Sequence, residues 1–245
     1  MLLQGDTGFL NFKIFDMANF DIAWEITAIH EGSKYDTTIE DEGNIYNGVV
    51  YGSKYGITAK FLREQVKLKL SEITPTLIKN LTKSQAGVYA KKGTWDLVMK
   101  GNQFINQEVA NLVFDWVHQR PGTAIAKIAG ICGSNTVEIE EMLDYLQLSD
   151  KVIRKINLSQ PRLIFLDILA SRLDHVRNSG KYKANKEGVL IRVLSFQKRV
   201  PKASTRKFTG KDSNNTDNTN DIGSLLLQGF GLYMAWKYIF VKKKK

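Results

Sequence analysis

The sequence predicts an α+β fold that is mainly α, with one small β-hairpin and a single C-terminal transmembrane helix beyond a polar linker. Three observations carry that expectation. The stretches 19–31 and 58 onward read as helical, most clearly after Asn106, where Val109, Leu112, Val113, Trp116 and Val117 fall at i, i+3, i+4, i+7 and i+8, the spacing of one helix face. Asn47-Gly48 lies between the β-rich flanks Ile45-Tyr46 and Val49-Val50-Tyr51, a strong short hairpin signal. Residues 222–241 are largely apolar and are followed by four lysines; as a helix they would be about 30 Å long, the thickness of a bilayer core.

The elements follow in order. Residues 1–18 carry no motif. Asn19 or Asp21 caps a first helix, in which Phe20, Trp24, Ile26 and Ile29 supply apolar surface. Gly32 ends it. Helical spacing resumes after Thr58, through Phe61, Leu62, Val66 and Leu68 or Leu70. Thr74-Pro75 is a cap with proline at the first helical position. Thr82 and Gln85 form a capping box, and Gly93 is expected to end that helix.

Asn106 opens the clearest helix, with Val109, Leu112, Val113, Trp116 and Val117 on one face, and Pro121-Gly122 stops it. A short helix over 123–131 follows. Asn135 and Glu138 form a second capping box, before Ile139, Met142, Leu143 and Leu146. Ser159-Gln-Pro161 begins a long helix to Val176, and Asn185 opens the last one, ending before Pro201. Residues 201–221 read as a polar linker that cannot bury a core. In the segment 222–241, Tyr233, Trp236 and Tyr238 suit a membrane interface, and the terminal lysines suit its cytoplasmic side or a virion interior.

The chain of 245 residues carries a formal net charge of +10 with 43% apolar residues. That is enough for a core, and the charge implies an anionic partner: nucleic acid, a membrane surface or an acidic polymer. The single cysteine, Cys132, excludes an internal disulfide framework and reads as a small buried residue. No cysteine–histidine set has zinc spacing, so no metal is expected. The N-terminus lacks the basic and apolar regions of a signal peptide. The basic stretch 198–211 belongs to no recognisable nucleic-acid-binding fold, and an anionic lipid surface would explain it equally well. No specific nucleic-acid partner is expected. Gly-x-Ser-x-Gly, His-Glu-x-x-His and phosphate-loop motifs are all missing.

One constellation points to chemistry. His30-Glu31-Gly32-Ser33-Lys34-Tyr35 places a carboxylate in the last turn of the first helix. Asp41-Glu42-Gly43 and Tyr55-Gly56-Ile57-Thr58 follow it. This succession resembles the N-terminal part of the glycoside hydrolase family 108 muramidases, lysozyme-like peptidoglycan hydrolases of phages and bacteria. The resemblance implies that Glu31 is the catalytic acid and that Asp41, matching an Asp-x-Gly element, is its partner. Asp36, Glu40 and Glu42 lie in the same region and are the other candidates. His30, Tyr35, Tyr55 and Thr58 are the candidates for lining the substrate cleft, although His30 reads equally as a satisfied surface histidine and Thr58 as a helix cap. The family's Glu-Gly-Gly-Tyr is altered here, and an insertion precedes Ser53.

Further on, Val88-Tyr89, Trp95-Asp96, Phe114-Asp115 and Gly188-x3-Arg192 resemble the helical peptidoglycan-binding region of these enzymes. Val189 stands where an aromatic residue is usual. His118 and His175 read as structural residues, and Asp115 and Trp116 lie on a core-like face.

A general acid must hold its proton near neutral pH, which calls for partly apolar surroundings; Trp24, Ile29 and Tyr35 are close in sequence. The domain organisation expected is a lysozyme-like catalytic region at 1–100, a helical peptidoglycan-binding-like region at 101–200, the linker at 201–221 and the transmembrane helix at 222–241. The reaction implied is cleavage of the β-1,4 bond between N-acetylmuramic acid and N-acetylglucosamine, without a cofactor. The partners implied are peptidoglycan, a membrane through the C-terminal helix, and other virion proteins, with the chain anchored in a virion or host inner membrane and the catalytic domain facing the cell wall. The alternative is a virion protein that kept the shape and lost the activity.

Overall fold

Asn19 starts the first helix by accepting the Asp21 N–H at 2.7 Å, which satisfies one of the helix-end donors. That helix, α1, runs Phe20–Glu31, and Gly32 closes it at φ 73°. The computed structural model describes residues 17–180 and 186–202.

Two small hairpins follow α1. In the first, β1 (Ile45–Tyr46) pairs antiparallel with β2 (Val49–Val50). Asn47 and Gly48 both take positive φ, 49° and 76°, the geometry the Asn-Gly pair favours. In the second, β3 (Ser53–Lys54) pairs with β4 (Ile57–Thr58) around Tyr55 and Gly56, whose φ values are 53° and 72°.

The helices then come in succession: α2 Ala59–Glu64, α3 Pro75–Lys79, α4 Lys83–Ala90, a π-helical stretch Lys91–Val98, and α5 Gln107–Gln119. They continue with α6 Pro121–Ile131, α7 Thr136–Asp144, α8 Asp150–Leu158, α9 Pro161–Asn178 and α10 Lys186–Ser195. Their starts are written in side chains. The Thr58, Thr74 and Asn106 oxygens accept the Phe61, Leu77 and Val109 N–H groups at 3.0–3.1 Å. Thr82 with Gln85, and Asn135 with Glu138, close reciprocal capping boxes.

α5 is the axis of the domain. Every residue from Val109 to His118 is buried, because α1, α6 and α9 pack around it. Phe20, Trp95 and Phe114 meet edge-to-face at 5.6–5.7 Å between ring centres, adding about 1 kcal/mol per pair beyond their buried area.

Several expectations are corrected. Among the described residues the architecture is mostly helical rather than α+β: each of the four strands there has two residues. The positive-φ positions Asn47, Gly48, Gly52, Tyr55 and Gly56 come so close together that they cut every extended run short. Among the described residues no helix is long and apolar enough to cross a membrane, and the segment 222–241 lies outside them.

Gly93 does not end a helix. It sits buried inside the π-helical stretch, where an added Cβ would meet Phe61 Cζ at 2.6 Å, so its lack of a side chain serves packing. Ile29 is exposed rather than apolar cover for α1. Cys132 is half-buried. α8 was not expected; Ser149 caps it, and only Val152, Ile153 and Ile156 face inward.

Candidate functional site

Glu31 is the last residue of α1, and its side chain is only 14% exposed. Arg192, from α10, places Nη2 2.7 Å from Glu31 Oε1. The contact is an ion pair without hydrogen-bond alignment. The same guanidinium grips Asp115 of α5 with two nitrogens, Nε to Oδ2 at 2.9 Å and Nη2 to Oδ1 at 2.7 Å. Arg172 of α9 donates to Asp115 Oδ2 at 2.6 Å, and Thr27 of α1 donates to Oδ1 at 2.9 Å.

Four helices therefore converge on one carboxylate that is wholly buried. Two carboxylates and two guanidiniums balance in charge, which is how such a group is tolerated inside a core. Burial alone would push the Asp115 carboxyl up, but Arg192 and Arg172 outweigh it and hold it well below the usual carboxylate range. Burial likewise opposes the charged form of Arg192, yet Asp115 and then Glu31 raise it above its ordinary value.

His118 lies one turn along α5 from Asp115. Trp24, Phe61 and Phe114 box its ring at 5.6–5.9 Å. Nδ1 is 3.1 Å from the Thr94 hydroxyl and Nε2 is 3.5 Å from the Tyr55 carbonyl. Burial lowers its pKa below the ordinary 6.5, ahead of the opposing pull of Glu31.

The turn of the second hairpin closes over this pair. A Cβ on Gly56 would meet His118 Nε2 at 2.8 Å, Glu31 Cδ at 3.0 Å and Glu31 Oε2 at 3.1 Å. One Glu31 oxygen thus pairs with Arg192, the other lies beside the Gly56 backbone, and the His118 ring packs against the same glycine. The expected apolar surroundings are replaced by a guanidinium and an imidazole.

The other residues named from the sequence are placed as follows. Tyr55 reaches the site through its carbonyl, while its ring lies under Lys54 Nζ at 5.8 Å. His30 Nε2 is 3.3 Å from Ser195 Oγ, and burial lowers its pKa. Tyr35 donates its hydroxyl to the Tyr51 carbonyl at 2.8 Å, bracing the first hairpin. Thr58 caps α2. Asp41 is exposed and accepts the Gly43 N–H at 2.9 Å at the start of a 3-10 turn. Asp36 is held by the Thr38 N–H and hydroxyl, which lower its pKa. So the structure brings Glu31 and the Tyr55 backbone together, and gives Asp41 a turn-capping bond.

Sequence reasoning did not foresee that Arg192 would tie Glu31 to Asp115 and Arg172, with His118 one turn further along α5. The available signal was charge on a core face: Asp115 falls among Leu112, Val113 and Trp116. A separate groove of about 510 Å³ lies between α1 and α4, lined by Phe20, Trp24, Gly87 and Val88, and does not include Glu31.

The fold is similar to that of SagA from Brucella abortus. The likeness covers 74% of this chain and 92% of that one, at a TM-score of 0.58 and 19% sequence identity. At that identity the similarity concerns the fold. No protein-family model matches the sequence, and no curated protein matches it.

Proposed function

We propose that this domain is a peptidoglycan hydrolase that cleaves the β-1,4 bond between N-acetylmuramic acid and N-acetylglucosamine, with Glu31 as proton donor. The observation that carries this reading is the placement of Glu31: a largely enclosed carboxylate at a helix end, under a hairpin turn, held by a buried ion cluster. The muramidase-like succession of motifs around Glu31 supports it, as does a net charge of +10 suited to an anionic wall.

In this reading substrate binding displaces Arg192 from Glu31, the freed carboxylate takes up a proton from solvent, and the acid form delivers that proton to the glycosidic oxygen as the bond to the anomeric carbon breaks. Arg192 then keeps its two bonds to Asp115. Asp41 is the second acid, supporting the cationic sugar or its attacking water, and His30, Tyr35, Tyr55 and Thr58 border the substrate. The setting is a phage or prophage, in lysis or virion entry.

A second reading, a scaffold of the same shape without activity, is favoured by the occupied state of Glu31, paired with Arg192 and shielded by Gly56. A zymogram on purified peptidoglycan separates the two. Clearing by wild type and none by an equally folded Glu31→Gln protein supports the hydrolase. Absence of clearing by folded wild type supports the scaffold.

A further inference from the structure

We propose that His118 is a positioning residue for Glu31, acting as a neutral imidazole with its proton on Nε2; as a catalytic role, this rests on the hydrolase reading above. The tautomer follows from the partners. Nε2 faces a backbone carbonyl, that of Tyr55 at 3.5 Å, and a carbonyl can only accept. Nε2 therefore carries the proton, and Nδ1 accepts from the Thr94 hydroxyl at 3.1 Å.

Trp24, Phe61 and Phe114 fix the plane of the ring, so the Nε2–H points one way. It points at the Tyr55 carbonyl, on the side of the turn where the Gly56 backbone lies beside Glu31 Oε2. The glycine at position 56 shows how tight that space is, since one methyl group there would touch both His118 Nε2 and Glu31 Oε2.

The two oxygens of Glu31 thus have different guardians. Arg192 holds Oε1 by charge. His118 supplies a neutral donor on the Oε2 side and ties down the Tyr55–Gly56 turn that forms the wall beside it. A neutral donor orients a carboxyl group without demanding that it be ionised, which a second cation would do. Positioning of this kind matters because a displacement of about 1 Å in a reacting group costs on the order of 100-fold in rate.

Substitution of His118 by glutamine, asparagine and phenylalanine in the full chain tests this. The glutamine side chain can place its amide nitrogen near the site of Nε2. The asparagine replaces only the Nδ1 side, and the phenylalanine keeps the ring volume alone. Four quantities are measured: kcat and KM on peptidoglycan fragments, amide hydrogen exchange of residues 55–58, and the imidazole ¹⁵N shifts of wild type.

The expected result is that His118→Gln keeps kcat within about threefold. His118→Phe and His118→Asn, still folded, should lose on the order of 100-fold in kcat with KM little changed. In those two variants the 55–58 amides should exchange at least about tenfold faster, and the wild-type shifts should report the Nε2–H form. Equal activity and exchange in all variants, or an Nδ1–H tautomer, would overturn the inference. If wild type cleaves nothing, the hydrolase reading falls, and the exchange and ¹⁵N data alone still decide whether His118 anchors the turn.

Discussion

Arg192 Nη2 stands 2.7 Å from Glu31 Oε1 and 2.7 Å from Asp115 Oδ1. One nitrogen thus links the C-terminal end of α1 to the buried middle of α5. The link orders the site and loads it with risk, because a buried ion cluster is stable only while every member is present.

Removing Arg192 should therefore be severe. Arg192→Met would leave Asp115 with one guanidinium and Glu31 with none, and a loss of about 3–5 kcal/mol in folding free energy is expected. Arg192→Lys restores charge but not the Nε–Nη2 fork on Asp115, so its urea midpoint should fall between wild type and Met. A Lys variant as stable as wild type would mean the fork contributes nothing.

Asp115 makes the fold acid-sensitive in a defined direction. Its folded pKa is depressed, so its stabilisation is complete above the unfolded value of about 3.9 and is lost as pH falls toward the folded value. Urea midpoints of wild type should drop between about pH 4 and pH 2. Asp115→Asn, expected to be about 3 kcal/mol less stable at pH 7, should show a shallower drop in that window.

The histidines act at higher pH. His118 and His30 both have lowered pKa values in the native state, each because burial opposes the charged ring. The unfolded chain binds those protons more readily, so stability is full above about pH 6.5 and declines below it, by at most about 1.4 kcal/mol per pH unit for each proton. His118→Gln should flatten the slope between about pH 7 and pH 5. An unchanged slope would show that His118 is charged in the native protein.

What the sequence made legible was local. The capping residues Asn19, Thr58, Thr74, Thr82, Asn106 and Asn135 act within three positions of themselves, and Asn47-Gly48 sets its own turn. Glu31 could be placed at a helix end because Gly32 follows it. The second hairpin was hidden because Tyr55 takes a positive φ that its residue type does not advertise. The ion cluster was hidden for a different reason: Arg192 and Asp115 are 77 positions apart, and no periodicity reports a pairing across four helices. α8 offered three inward apolar residues in nine, too few to stand out.

Gly56 should tolerate no side chain. Its φ of 72° is unfavourable for any other residue, and its Cβ position is already occupied by His118 Nε2 at 2.8 Å and Glu31 Cδ at 3.0 Å. Gly56→Ala should cost more than about 1 kcal/mol and reduce any wall-clearing activity, because the turn must lift from Glu31. The control is Gly48→Ala in the first hairpin, which has a similar φ of 76° but open space around it. If the two variants lose the same stability, strain alone explains Gly56 and crowding at Glu31 adds nothing.

Cys132 should be a slow thiol. It follows α6 and is half-buried, and burial pushes its pKa up to about 11, with Lys155 offsetting only part of that. The thiolate is the reactive form, so at pH 8 only about one molecule in a thousand would carry it, against roughly one in four for an ordinary cysteine at its usual value of about 8.5. Reaction of the native chain with an aromatic disulfide reagent should therefore run on the order of 100-fold slower than in concentrated guanidinium chloride at the same pH. A native rate close to the denatured one would place the thiol at the surface, with α6 frayed at its end.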